Sequence, residues 1–303
     1  MEQTLDLAAL ADFNLVATHG GFGRAGRAVG RPKATLSRRV AELEQSLGVR
    51  LIERGGHLLR LTEEGRTLHQ RTAGLMSELA EAGEAVASRA PIPRGRLRIS
   101  SPIVFAHVVL ARIGARFALA YPQVELEIVA EDRVVDPVEE GYDLVIRINP
   151  SQDNRLVGRR ILDDQRMIVA APGVAPPPDS PDPAAEVPVQ AVMFAAMPAG
   201  TPWRMRTKDG ALRTLLPEPI LKLSSLLMVR EAVLAGVGTA LLPKLLVADD
   251  VAAGRLACWG TEDTAAVEIW ALYSSRRLLS AKVRAFLDTL IAALAEKSAM
   301  PRP

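Results

Sequence analysis

The sequence predicts an α/β chain preceded by a small all-α domain, a winged helix-turn-helix, with one long linker helix between them. Three observations carry this reading. From residue 5 to 60, apolar residues recur at spacings of three and four and are punctuated by glycine. An unbroken helical pattern then runs from Thr62 to about Arg89 and stops at Pro91 and Pro93. Beyond Arg94, strand-like runs alternate with helical ones, the signature of an α/β architecture with mainly parallel sheets.

Asp6 is a side-chain cap for a first helix with a predicted buried stripe of Leu7, Leu10, Phe13 and Ala17, ending before Gly20 and Gly21. A second short helix covers about Arg24 to Val29 and breaks at Gly30. Gly23 and Gly26 dilute it, each at a cost of roughly 0.5–1 kcal/mol relative to alanine. The third begins near Pro32, a residue suited to a first turn because its missing donor would be unpaired there, and ends at Gly48. Its stripe is Leu36, Val40, Leu43 and Leu47.

The opposite face of the third helix presents Lys33, Ala34, Thr35, Ser37 and Arg38, small, hydroxyl and basic side chains gathered in its N-terminal half. A major groove admits such a helix. Small residues permit close approach, and arginine can bond guanine O6 and N7 together. Val49 to Thr62 reads as a strand, a Gly55–Gly56 turn and a second strand, a wing. Arg31, Arg54, His57 and Arg60 are placed to hold the phosphate backbone. Between His19 and Arg60 nine basic residues stand against three acidic ones, in a chain with a formal charge of only +2. That local excess suits phosphate contact, and it also suits an ordinary solvated face.

On the linker helix, residues 63–92, Leu68, Thr72, Leu75, Leu79, Ala82 and Val86 alternate spacings of four and three. Pairing with a second copy would bury this seam, as would packing on its own domain. In the α/β part, residues 93–303, strands are expected at Arg96–Ser100, Val124–Ala130, Asp143–Ile148, Thr239–Leu242 and Val267–Tyr273. Helices are expected at Phe105–Ala120, Pro137–Glu140, Leu226–Ala235 and Ala281–Ala295. Seven of the 17 residues from Pro172 to Pro188 are proline, which predicts an irregular loop.

Composition narrows the function classes. With 303 residues, 49% hydrophobic and 24% charged, the chain is too apolar for disorder and large enough to need no staples. No uncharged stretch reaches the roughly 18 residues of a membrane span, so no membrane crossing is expected. The opening residues lack a basic and apolar leader pattern, and Cys258 has no second thiol, which suits a reducing cytoplasm. His19, His57, His69 and His107 have no metal spacing, and Gly236–Val237–Gly238 follows a helix rather than opening one. No catalysis, metal or cofactor is therefore expected.

Four blocks resemble the LysR-type transcriptional regulator family: ATLSRRVAELEQSLGVRLIERGGHLLRLTEEG at Ala34–Gly65, FALAYPQVELEI at Phe117–Ile128, EEGYDLVIRI at Glu139–Ile148 and VREAVLAGVGTALLP at Val229–Pro243. The resemblance spans essentially the whole chain. It implies a winged helix-turn-helix in residues 1–62, a dimerising linker, and an effector-binding domain of two subdomains similar to periplasmic binding proteins. The first subdomain would be 93–163 with 267–303, and the second 164–266. It also implies pairing into dimers or tetramers on double-stranded DNA with an inverted repeat. The sequence departs from the family by placing Pro32 where relatives carry a serine cap, and Ala34 where a small polar residue is common.

Ligands of such domains enter the crevice outside the carboxyl ends of the strands. Ser100, Ser101, Ser224 and Ser225 each precede a helix, Arg147 ends a strand, and Thr201 and Trp203 can form the facing wall. Each has a plainer role open to it: the serines as helix caps, Trp203 as core, Arg147 as partner of a structural acid. Hydroxyls, amides and one arginine point to a small organic anion as effector. The competing class is a small-molecule-binding or enzymatic α/β protein with the N-terminal helices as a structural appendage.

Overall fold

A computed structural model of the chain describes residues 5–53, 59–87, 92–137, 139–151, 156–178, 185–198, 200–274 and 279–299. The chain divides into two compact units, one holding Met1–Gly95 with the short segments Asp136–Gly141 and Arg276–Lys282, and the other Arg96–Val135, Tyr142–Ser275 and Val283–Pro303.

In the first unit, α1 (Leu7–Thr18), α2 (Phe22–Val29) and α3 (Lys33–Leu47) precede the longer α4 (Glu63–Ala87). The Asp6 carboxylate accepts the N–H groups of Ala8 and Ala9 at 2.8 and 3.1 Å, filling two of the donors a helix start leaves open. The α1 stripe differs from expectation. Leu7 is exposed, and Ala9, Leu10, Phe13 and Val16 form the buried set with Leu36, Val40 and Leu43 of α3. A helix's first turn projects beyond the neighbour it packs on, so periodicity alone overextends the stripe.

Gly26, read from sequence as a weakness of α2, has a packing reason. A Cβ there would lie 2.6 Å from the Arg31 carbonyl oxygen, so only glycine lets α2 close on the turn into α3. Gly30 closes α2 in a left-handed conformation (φ 65°). The expected two-stranded wing reduces, among the described residues, to one antiparallel bridge between Ile52 and Leu61, with the Glu53 N–H bonded to the Arg60 carbonyl at 2.9 Å. The Gly55–Gly56 turn lies outside the described residues.

The linker seam splits. Leu68 packs on the unit's own core, and the Thr72 hydroxyl accepts the Asn14 amide at 2.9 Å, so the first turns of α4 belong to α1. Leu75 and Leu79 are 54% and 56% exposed. The side chains of Ala82 and Val86 lie outside the description.

The second unit has two sheets. The first, in order β2–β1–β3–β11–β4, comprises β1 (Gly95–Ser101), β2 (Val124–Ala130), β3 (Leu144–Ile148), β4 (Leu156–Asp164) and β11 (Val267–Ser274). The strands β1 and β3 are parallel, whereas β11 returns antiparallel to both β3 and β4. The second sheet closes in the order β10–β5–β9–β6–β8–β7. It is built from β5 (Arg166–Ala170), β6 (Glu186–Phe194), β7 (Trp203–Arg206), β8 (Leu212–Leu223), β9 (Thr239–Pro243) and β10 (Ala257–Glu262). Only the β6 pairings with β8 and β9 are parallel in it. The mainly parallel expectation is corrected to mixed sheets, because β7 and β8 form a hairpin and strands crossing between the subdomains arrive reversed.

Helix α5 (Ile103–Ala120) is the one described helix long and apolar enough in composition to cross a membrane. Its Phe105, Leu110, Ile113 and Phe117 are buried, and the Phe117 ring meets Phe286 of α8 (Ala281–Ala299) edge-on at 5.2 Å. Its turn Ala106–Leu110 is π-helical. The second sheet carries α6 (Leu226–Leu234) and α7 (Lys244–Ala252), the latter not foreseen from sequence. Two other expectations are revised. Pro137–Glu140 forms only a turn, with Val138 outside the described residues, and Pro188 lies within β6 rather than in the loop.

Asp164 ends β4 where the chain leaves the first sheet, and its carboxylate accepts the Leu245 N–H of α7 at 3.0 Å. Burial pushes its pKa up, against the backbone donors of Leu245 and Gln165 and the Lys244 charge. The folded state therefore holds this proton more tightly than the unfolded chain. Its contribution to stability is greatest below the unfolded value near pH 4 and falls as pH rises through the raised folded value. Asp164→Asn keeps an acceptor without the charge. Urea midpoints across pH are expected to show the variant at least as stable as the parent at neutrality, with that advantage shrinking as pH falls toward 4.

Candidate nucleic-acid interface and effector crevice

With Leu36, Val40 and Leu43 buried, α3 turns Lys33, Ala34, Ser37 and Arg38 to solvent, and Thr35 is half-buried beside them. The Arg38 guanidinium reaches Glu42 one turn on at 2.5 Å, a pair exposed on both sides. Arg31 has a structural duty that the sequence did not reveal. It donates to the buried Asp12 carboxylate at 2.7 Å, and Arg39 approaches the other oxygen at 3.3 Å, which ties the start of α3 to α1. Arg31 therefore has this structural duty beside the phosphate-positioning role expected of it, since a buried carboxylate without such a partner is costly. Arg60 is exposed, whereas Arg54 and His57 lie outside the described residues. Two further cations share this unit's surface: Arg27 in the last turn of α2, and Arg50 just after α3. Their basic character between glycine-bounded helices was the available signal.

In the second unit, the parallel neighbours β1 and β3 bring Ser100 and Arg147 together although 47 residues separate them. The guanidinium donates to the Ser100 Oγ at 2.9 Å, which in turn donates to Glu131 at 2.8 Å. Tyr142 gives its hydroxyl proton to the same Glu131 oxygen at 2.8 Å, and Arg133 pairs with the second oxygen at 2.7 Å. Burial works against the Glu131 charge, but the Tyr142 and Ser100 hydrogen bonds and the Arg133 guanidinium hold its carboxyl below the ordinary range. Sequence reasoning missed Glu131 and Asp132, which follow β2 at the end adjoining Ser100. Asp132 accepts the Ile103 N–H at 3.0 Å and so occupies the start of α5. Ser101 is fully buried, its hydroxyl directed at the Pro102 carbonyl at 3.4 Å.

The other four expected crevice residues do not join this cluster. Ser225 caps α6, accepting the Leu227 N–H at 3.3 Å, and Ser224 beside it is exposed. Thr201 is exposed and donates to the Pro198 carbonyl at 3.2 Å. Trp203, expected as a crevice wall, is corrected to core. It is 2% exposed, packed with Met193, Met205 and Leu215, because strand alternation along β7 turns positions 203 and 205 inward. Cys258 is partly buried, with burial pushing its thiol pKa up, and its sulfur lies 3.5 Å from the Gly260 carbonyl oxygen.

Two family models match the chain along these divisions. Residues 7–66 match the bacterial regulatory helix-turn-helix protein of the lysR family, and residues 92–295 match the LysR substrate binding domain. The chain belongs to the LysR family of transcriptional regulators. This regulator is similar to DmlR of Escherichia coli, 31% identical with 92% of this chain and 91% of that protein covered. It is likewise similar to PtxR of Pseudomonas aeruginosa, 32% identical over 94% and 92%. Among solved structures it resembles the LysR-type regulator CrgA of Neisseria meningitidis, with a TM-score of 0.58, 27% identity and coverage of 95% and 98%. A cysteine mutant of OxyR from Corynebacterium glutamicum shares the fold, with a TM-score of 0.65 at 20% identity over 98% and 97% of the two chains. The LysR-type regulator is thus a DNA-binding transcriptional regulator with an effector-binding domain, and its N-terminal helices are no mere appendage.

Proposed function

We propose that this regulator reads its operator with the exposed N-terminal half of α3, through Lys33, Ala34, Thr35, Ser37 and Arg38, while Arg31, Arg54, His57 and Arg60 hold the phosphates. The observation that carries this is the division of α3, with Leu36, Val40 and Leu43 inward and small and basic side chains outward on a glycine-sharpened helix corner. Residues 1–62 form the DNA-binding domain, 63–92 the linker, and 93–303 the effector domain. Exposed Leu75 and Leu79 on α4 support self-pairing as a dimer or tetramer, and with it an inverted-repeat site.

The effector is a small organic anion bound near Ser100 and Arg147, where the guanidinium is the counter-charge and Glu131 is already satisfied by three donors. Salt titration of the full-length protein on its own upstream DNA tests the DNA-reading assignment. With six or more phosphate contacts, affinity is expected to fall by about a thousandfold between 50 and 200 mM salt. A salt-independent affinity would refute it.

A further inference from the structure

Two buried polar side chains interrupt the apolar face of α1, and they point to different helices. Asn14, 6% exposed, faces α4: its amide donates to the Thr72 Oγ1 at 2.9 Å, and its Oδ1 lies 2.8 Å from the His69 Nδ1. Asp12, 2% exposed, faces α3, and its two oxygens take different cations. Oδ1 accepts the Arg31 Nη1 at 2.7 Å and Oδ2 the Arg39 Nη1 at 3.3 Å. These arginines bracket the exposed basic segment of α3. Arg31 stands in the turn before the helix, Arg39 directly follows Arg38, and Lys33 to Arg38 lie between them. Pro32 at the head of α3 supplies no side-chain cap, so the fastening there falls to Arg31. Packing of Leu36, Val40 and Leu43 sets which side of α3 faces inward, but apolar burial is non-directional and tolerates small slides and rotations. Charge-assisted hydrogen bonds at both ends of the segment do not. For stability alone a buried carboxylate is a poor device, since well-packed apolar residues commonly serve as well in its place; what it adds is register.

We propose that Asp12 is a positioning residue for operator reading, a single buried carboxylate that fixes the axial position and rotation of α3 by holding Arg31 and Arg39 at either end of the segment Lys33–Arg38. This role rests on the reading of α3 as the helix that meets the bases. Asp12, being buried, meets no nucleotide, and as an acid it repels phosphate. Removing its charge leaves the domain one unit more positive, which by charge alone tightens binding to every duplex. Loss of register acts the other way and only on the operator. Base-edge hydrogen bonds are directional and fail when the helix shifts, whereas flexible cations still reach phosphates. On the operator the two effects have opposite signs.

The test is Asp12→Asn, which keeps the shape and removes the charge, measured in the full-length protein by fluorescence anisotropy on operator and scrambled duplexes at fixed salt. Operator affinity is expected to fall about tenfold or more, the scale of one lost base contact, while scrambled-duplex affinity stays equal or rises. Added to an Arg31→Gln, Arg39→Gln double variant, Asp12→Asn should lower operator affinity no further, since the carboxylate then has nothing to hold. A further loss there overturns the proposal. Equal gains on both duplexes overturn it as well, by showing a carboxylate that only subtracts charge. Proportionate falls on both do the same, because a merely structural ion pair gives that result. Should Asp12→Asn not fold, Arg39→Gln decides, since it removes one anchor from a partly exposed position. A reduced ratio of operator to scrambled affinity then supports the proposal, and an unchanged ratio overturns it. Arg38→Ala keeps the two assignments apart. Operator affinity unchanged in Arg38→Ala defeats the reading of α3 itself, whereas a loss there with none in Asp12→Asn defeats the positioning role alone.

Discussion

Asp250→Ala is expected to destabilise the effector domain by about 3 kcal/mol, the lower end of what breaking a buried ion cluster costs. Asp250 is fully buried, at 0% exposure, and stands at the end of α7. Arg230 of α6 meets it with two nitrogens at 2.6 and 2.8 Å, and Arg255 with two more at 2.9 and 2.7 Å. Alanine leaves both guanidiniums without their acceptor. Arg255 is 56% exposed and can turn to water, whereas Arg230 is 27% exposed and keeps only Glu231, which sets the effect at the lower end. The loop itself stays closed, since the Asp250 carbonyl accepts the Arg255 N–H at 2.8 Å regardless of the side chain. Urea unfolding followed by tryptophan fluorescence measures the loss, and a shift under about 1 kcal/mol would show that water already shares these charges.

The same cluster has a pH signature of fixed sign. Burial opposes the Asp250 charge, and the hydrogen bonds and positive charges of Arg230 and Arg255 outweigh it, so the carboxyl titrates below its ordinary range. Its stabilisation is therefore complete above the unfolded value near pH 4 and is lost as pH falls through the folded value. The gap between parent and Asp250→Ala should narrow in acid, opposite in sign to the Asp164→Asn difference. Two buried aspartates on one subdomain boundary and its helix thus report opposite environments.

What the sequence revealed was local. The Asp6 cap, the Gly30 and Gly48 stops and the Leu36, Val40, Leu43 stripe depend on neighbours within two turns, and each stands where its spacing placed it. What it concealed was distant in the chain. Nothing near Asp12 marks it as the shared partner of Arg31 and Arg39, because a buried acid in an amphipathic helix looks like a polar-face residue until α3 folds over it. Ser100 and Arg147 were named separately, but only strand order makes them neighbours, and that order also brings in Glu131. Trp203 was misplaced because a tryptophan after a proline and before arginines reads equally as crevice wall or inward strand residue. The strand period of β7 decides for the core. Helix α7 escaped notice because KLLVADDVA is short and apolar on several sides, which leaves no clean period.

Arg38→Ala is expected to weaken operator binding by about 1 to 3 kcal/mol, roughly five- to 150-fold, while changing affinity for random DNA far less. The side chain is 65% exposed on α3, and its ion pair with Glu42 at 2.5 Å is of the i, i+4 surface kind worth about 0.3–0.5 kcal/mol. Losing it costs the fold little, so an unchanged melting temperature separates recognition from stability. Glu42 also competes with DNA for the guanidinium. Glu42→Gln, which keeps the shape and removes the charge, should therefore leave operator affinity equal or higher, opposite to Arg38→Ala. Fluorescence anisotropy on operator and scrambled duplexes at fixed salt distinguishes the cases. If Arg38 reads a base edge, the two duplexes converge in affinity in the variant. If it holds only a phosphate, both affinities fall together and the salt slope drops by about one. An equal fall on both would leave sequence reading to Lys33, Thr35 and Ser37, whose short or flexible side chains demand a closer approach of α3 to the groove floor.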